Sequence, residues 1–235
     1  MKKNFLIILL CSIASVTFGQ KKTITQKFTT TQVEKIDFSK IYDSVTGNKM
    51  KKKDYIKLLE NNQNIESEKI IGTDGKIVKY LISVSKTNNL PINYRKKPIL
   101  KGELFPNFIA ETINKRKIEL NKLRGKIVIL RFELEANSFR FKKQEIKQID
   151  NLIDKIKNKS EKVKAIIFFA SDKLDITKGF DLPNSNFELI PNGLNFQEKY
   201  SITRFPATII IDKNGKLVEY YKFIDDMNLK EMISE

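Results

Sequence analysis

Histidine and tryptophan are absent from this 235-residue chain, and its one cysteine is Cys11. With a single cysteine no disulfide can close within the chain, so a disulfide-stapled scaffold is excluded. The same shortage removes the usual ligands of zinc, copper, haem and iron–sulfur sites. No Asp-rich loop with calcium spacing takes their place. No metal and no cofactor is therefore expected. Glycine and proline number only 9 and 6, which excludes collagen-like and low-complexity organisation. What is present suits a globular core: 40% of residues are apolar, 10% aromatic and 31% charged.

Long apolar runs are confined to the N-terminus. Lys2 and Lys3 precede the apolar stretch from Phe5 to Ile13, and Thr17, Phe18 and Gly19 lead into Gln20. This is the layout of an export signal, and it is too short for a membrane span. Residues 1–19 are thus expected to be a signal peptide cleaved before Gln20, leaving an exported, thiol-free chain with no transmembrane span, in the periplasm or beyond it. Lipid anchoring at Cys11 is disfavoured, because Leu10 stands where a lipoprotein signal carries a small residue.

Acidic residues are outnumbered, 28 against 44 basic, for a net charge of +16. An excess of this kind attracts phosphate backbones and anionic surfaces. Here the lysines are spread along the whole chain, with no zinc-finger spacing, no aromatic RNA-binding signature and no Gly-rich phosphate loop. Nucleic-acid binding is not expected.

The pattern divides the chain further. Residues 20–31 are polar and aperiodic and read as a flexible leader. Residues 32–85 read as a small α+β region. Within it, 49–61 is a helix with Tyr55, Leu58 and Leu59 on one face, and the turn Thr73-Asp74-Gly75-Lys76 leads into a strand over 77–84. Residues 86–101, with Pro91 and Pro98, read as a linker. From 102 to 235 the pattern is cleaner. Continuous apolar strands over 126–132 (KIVILRF) and 163–170 (VKAIIFFA) flank a long amphipathic helix expected over 138–159, whose Ile146, Ile149, Ile153 and Ile156 share a face. Strand, helix, strand at this spacing predicts two parallel strands. A short strand at 187–190, a helical turn at 194–200, a strand over 207–212, a hairpin through Asn214-Gly215 onto 217–223 and a last helix over 225–233 complete an α/β sandwich with helices on both faces.

Three stretches in this order carry a resemblance. They are Gly102, Pro106 and Phe108; Leu123-Arg124-Gly125-Lys126 with the strand ending at Phe132; and Phe205-Pro206-Ala207-Thr208 followed by Ile209 to Lys216. The region resembles the thioredoxin-like fold, and most closely the exported TlpA/ResA-type thiol-disulfide oxidoreductases of the redoxin superfamily. The resemblance implies a Trp-Cys-x-x-Cys turn at the start of the long helix, where amides and dipole lower a thiol pKa. Here the stretch is Ala136-Asn137-Ser138-Phe139-Arg140. Asn137 and Arg140 stand where the two cysteines belong, and neither can form a mixed disulfide. Ser138 has no histidine to activate it. No catalytic residue is expected, and the reading leans away from an enzyme.

Two readings of the altered site stay open. Asn137 or Ser138 caps the helix, or the helix N-terminus, Ser138 and Arg140 form an anion cradle. The resemblance further implies a cis Pro206, with Arg204 and Phe205 beside a groove for extended peptide; the alternative is that Phe205 fills core space. Glu133 and Glu135 read as solvated carboxylates at a strand end. The expected function is a binding or scaffolding protein of the cell envelope with a protein or peptide client. The alternative is an accessory to thiol-disulfide chemistry, working with a cysteine-bearing partner. The oligomeric state is not legible in the sequence.

Overall fold

Seven consecutive buried residues form the centre of the molecule, Ile127–Glu133. A strand covered on both faces needs such a run. The computed structural model describes residues 36–62, 64–84 and 98–221, together with Ile224, Met227 and Glu231. The expected signal peptide with Cys11, the leader over 20–31, most of the 86–101 linker and most of the 225–233 helix lie outside the described residues.

In chain order the elements are β1 (Ile41–Asp43), α1 (Lys52–Asn61), β2 (Ile65–Ile71), β3 (Ile77–Val84), β4 (Ile109–Glu111), β5 (Lys117–Glu119), β6 (Ile127–Glu133), α2 (Lys143–Asp154), α3 (Lys159–Lys162), β7 (Val163–Phe169), α4 (Lys173–Gly179), β8 (Phe187–Ile190), α5 (Leu194–Lys199), β9 (Ala207–Ile211) and β10 (Leu217–Tyr221). Five strands form the main sheet in the order β10-β9-β6-β7-β8. β6 pairs parallel with β7 and antiparallel with β9, while β7 and β8 are parallel and β9 and β10 antiparallel. The parallel pair and the closing hairpin stand as the sequence predicts. The hairpin turns at Gly215, whose φ of 77° is open to glycine at little cost.

Because side chains alternate along a strand, β6 feeds two cores. Val128, Leu130 and Phe132 join Phe108, Phe168, Phe196 and Tyr200 on one face. There Phe132 stacks on Phe168 with ring centroids 5.1 Å apart. Ile127 and Ile129 join Ile146, Ile149 and Ile153 of α2 on the other. Each buried isoleucine contributes about 1.5–3 kcal/mol, so α2 is held by its apolar stripe.

α2 begins at Lys143 and ends at Asp154, shorter at both ends than the expected 138–159 helix. α1 likewise starts at Lys52, with Tyr55 buried and Leu59 47% exposed, so Leu59 is not on the buried face. The small sheet has the order β1-β3-β2, and the turn between β2 and β3 is hydrogen-bonded to the rest of the fold. Ile109 donates its amide to Thr73 O (2.8 Å), Asn195 Nδ2 donates to Gly75 O (2.8 Å) and Lys199 Nζ donates to Gly72 O (2.9 Å). Asp37 to Glu235 form one compact unit.

Candidate functional site

β6 ends at Glu133, and the chain then passes through turns from Leu134 to Lys142 before α2 starts. On this segment the structure departs most from expectation. Neither Asn137 nor Ser138 caps the helix: the N-cap is Lys142, which makes no side-chain cap bond. The reason is local competition for those side chains. Asn137 Nδ2 donates to Asp175 Oδ1 of α4, and Ser138 Oγ donates back to Glu135 O at 3.3 Å. Phe141 then closes a turn through its amide to Ser138 O (3.0 Å) and packs its ring on Phe169 and Phe180 at 5.7 and 5.9 Å. With the helix starting five residues beyond Ser138, the anion cradle loses the helix N-terminus on which it depended. Arg140 instead lies 5.5 Å from the ring of Phe139, a side chain 91% exposed.

Opposite this segment, the peptide bond between Phe205 and Pro206 is cis. The loop and the segment enclose a cleft of about 160 Å³ lined by Glu133, Leu134, Ser138, Phe141, Phe205 and Pro206, with the exposed Glu135 and Arg140 also on its wall. Of the residues singled out in the sequence, Ser138, Arg140, Phe205 and Pro206 thus meet in one place. Asn137 is turned towards α4, and Arg204 is exposed outside the lining. Phe205 does both things considered for it, lining the cleft and packing against the aromatic core.

Glu133 corrects a second expectation. It is 2% exposed and is not a solvated strand-end carboxylate. Residues two apart on a strand share a face, and Arg131 on that face is also buried. Arg131 Nε donates to Glu133 Oε1 at 2.8 Å, Nη1 donates to Thr208 Oγ1 of β9 at 2.7 Å, and Nη2 donates to Glu145 Oε2 of α2 at 2.7 Å. Burial pushes the Glu133 pKa up, against the opposing pull of the Arg131 guanidinium. Beneath Glu133, Gln197 Nε2 donates to the Glu133 carbonyl at 3.0 Å. Sequence reasoning missed Arg131, Thr208 and Glu145. A signal was present: a charged residue inside KIVILRF must find partners if both faces are covered.

Among the described residues no three Asp, Glu or Cys side chains converge as a metal site, and no helix is long and apolar enough to cross a membrane.

A central β6 flanked by parallel β7 and antiparallel β9, with a cis-proline loop facing the turn after β6, defines a thioredoxin-like protein. The sequence narrows this further. It is 32% identical over 124 residues to the thiol-disulfide oxidoreductase ResA of Bacillus cereus, covering 50% of this chain and 67% of ResA. The chain belongs to the family of ResA-type thiol-disulfide oxidoreductases. No protein-family model matches it. Among solved structures, a thiol:disulfide interchange protein from a Bacteroides species matches at 19% identity and a TM-score of 0.45, covering 58% of this chain and 92% of its own. The thioredoxin domain of a thiol-disulfide oxidoreductase from Bacteroides vulgatus matches at 18% identity and a TM-score of 0.43, covering 58% and 94%.

Proposed function

We propose that this chain is an exported member of its family that has given up thiol exchange and works by binding, as a scaffold in the cell envelope. One observation carries the reading: the turn Ala136-Asn137-Ser138-Phe139-Arg140, in which Asn137 and Arg140 are read as standing at the family's cysteine positions, holds no cysteine, and the single cysteine of the chain, Cys11, lies in the expected export signal. An amide and a guanidinium cannot attack or release a disulfide sulfur. Ser138 donates a hydrogen bond from its hydroxyl to the Glu135 carbonyl, and no imidazole is present in the chain to take its proton. What the site retains is a cleft beside a cis-proline loop. An extended polypeptide can lie along Arg204, Phe205 and Pro206 by backbone pairing, with side chains entering the cleft. The client is an envelope protein or peptide.

Purified protein assayed for disulfide reduction and for peroxide consumption should show no turnover above buffer. Turnover in either assay overturns the reading. Mass measurement of the exported protein should place its N-terminus at Gln20 and detect no thiol.

Retention of the cis-proline loop without the cysteines also favours a second reading, in which the protein presents a substrate to a cysteine-bearing partner. Recovery of a redox enzyme in pull-downs from envelope extract supports that role. Recovery of clients unrelated to disulfide exchange supports the first.

A further inference from the structure

A nearly buried carboxylate, Glu133, lines the cleft as part of a charged network. Arg131, Glu133 and Glu145 bring together one guanidinium and two carboxylates, with the neutral hydroxyl of Thr208 as the fourth member. Arg131 satisfies one Glu133 oxygen, Oε1. Among the described residues Oε2 receives no hydrogen bond, although the side chain is only 3% exposed. A carboxylate oxygen left to the cleft is met there by water, by a proton or by a second cation. Glu133 lines the cleft, so a second cation has a route to it.

We propose that the cleft is a binding site for an alkylammonium group, carried by a lysine side chain of a bound polypeptide or by a free polyamine. For the lysine source this rests on the groove reading above and names the side chain the groove takes. An ammonium supplies a donor and a positive charge to the Glu133 oxygen that Arg131 leaves to the cleft. Phe141 and Phe205, which also line the cleft, give apolar surface to the methylene stem. A ligand carboxylate would instead meet Glu133 and Glu135 on the lining, with the exposed Arg140 as the cation beside them. Around Glu133 stand Arg131 on its own strand, Glu145 and Lys142 at the start of α2, and Glu135 and Arg140 on the turn. Lys142 and Arg140 are exposed and oppose the ligand only through screening solvent. Glu135, also exposed, offers a further carboxylate on the same wall. Because burial raises the Glu133 pKa, protons compete with the ligand, and binding tightens as pH rises above the ordinary glutamate value of 4.5.

The test measures equilibrium binding to the full chain of n-butylammonium, 1-butanol, spermidine, a lysine-centred alanine pentapeptide and its norleucine counterpart. Wild type and Glu133→Gln are compared after circular dichroism has checked folding. Butylammonium should bind and butanol should not. The lysine peptide should bind about tenfold more tightly than the norleucine peptide, and Glu133→Gln should erase that difference while leaving norleucine affinity intact, a factor of ten being about 1.4 kcal/mol. Equal affinity of the two peptides removes the ammonium site while the groove stands. Binding of butylammonium and spermidine without either peptide supports the site and removes the groove. Failure of butylammonium to bind overturns the proposal. Should the Gln variant not fold, the pH dependence in wild type decides: an affinity for butylammonium that stays flat across pH overturns it.

Discussion

Arg131 sits on β6 in line with Ile127 and Ile129, and three acceptors hold its guanidinium there: Glu133, Thr208 and Glu145. Replacing it with Met keeps the volume but leaves Glu133 buried without its cation. Breaking a buried pair from one side costs about 3–5 kcal/mol. Arg131→Met should lower the unfolding free energy from urea titration by that amount at neutral pH, and acidification should return part of the loss as Glu133 takes up a proton. A loss under about 1 kcal/mol would show that the network contributes little to stability. The pH dependence of Glu133 itself has a definite sign. Its folded pKa lies above its unfolded one, so it favours the folded state fully below 4.5 and loses that contribution as pH rises through the raised folded value. Asp154, Asp181 and Glu219 behave oppositely. Hydrogen bonds from Lys159, Lys143 and Lys101 hold their pKa values low, so their contributions are present above the ordinary values and fade as pH falls through the lowered ones. Unfolding of wild type and Glu133→Gln across pH should therefore give a stability difference that shifts against wild type as pH rises from 4.5. A constant difference contradicts the assigned direction.

At the scale of elements, packing decided what periodicity alone could not. The strands β6 and β7 and the isoleucine stripe of α2 were legible because an apolar run and a 3.6-residue spacing each have one structural outcome when buried. The start of α2 was not. Asn137 and Ser138 look like caps in sequence, and only the arrival of Asp175 and the Glu135 carbonyl diverts their side chains. β2 was missed for a related reason. Its sequence IESEKII has no clean alternation, and its pairing with β3 makes it a strand. Two glycines test this packing. A Cβ at Gly179 would lie 2.5 Å from backbone atoms of Ala136 and Asn137, so α4 could not keep its place against the turn. At Gly75, with φ of 74°, it would lie 2.6 Å from the Phe196 ring. Gly179→Ala and Gly75→Ala should each cost about 1–3 kcal/mol in chemical unfolding. Gly179→Ala should also weaken ligand binding in the cleft, because the displaced turn carries Ser138 and Phe141. Gly75→Ala should leave the cleft unaltered and loosen only the small sheet, read as faster amide exchange in β2 and β3.

For the whole molecule, composition sets two expectations. One cysteine in 235 residues cannot form an intrachain disulfide, so adding a thiol reductant should leave the melting midpoint unchanged. A net charge of +16 repels itself in the compact state, so moderate salt should raise the urea midpoint slightly. A reductant-sensitive midpoint would point to a disulfide between chains.

Sequence by itself determined the class of fold, the family, and the absence of cysteine from the turn after β6. These are properties of order, periodicity and residue type, and none requires distant segments to meet. Only the tertiary structure decided that Glu133 is buried, that Arg131, Thr208 and Glu145 surround it, and that Phe205, Pro206 and Ser138 share one cleft. Those groups come from β6, β9, α2 and two loops, up to 77 residues apart along the chain. A carboxylate's charge state follows from the neighbours and the solvent that folding leaves around it, and local sequence carries neither.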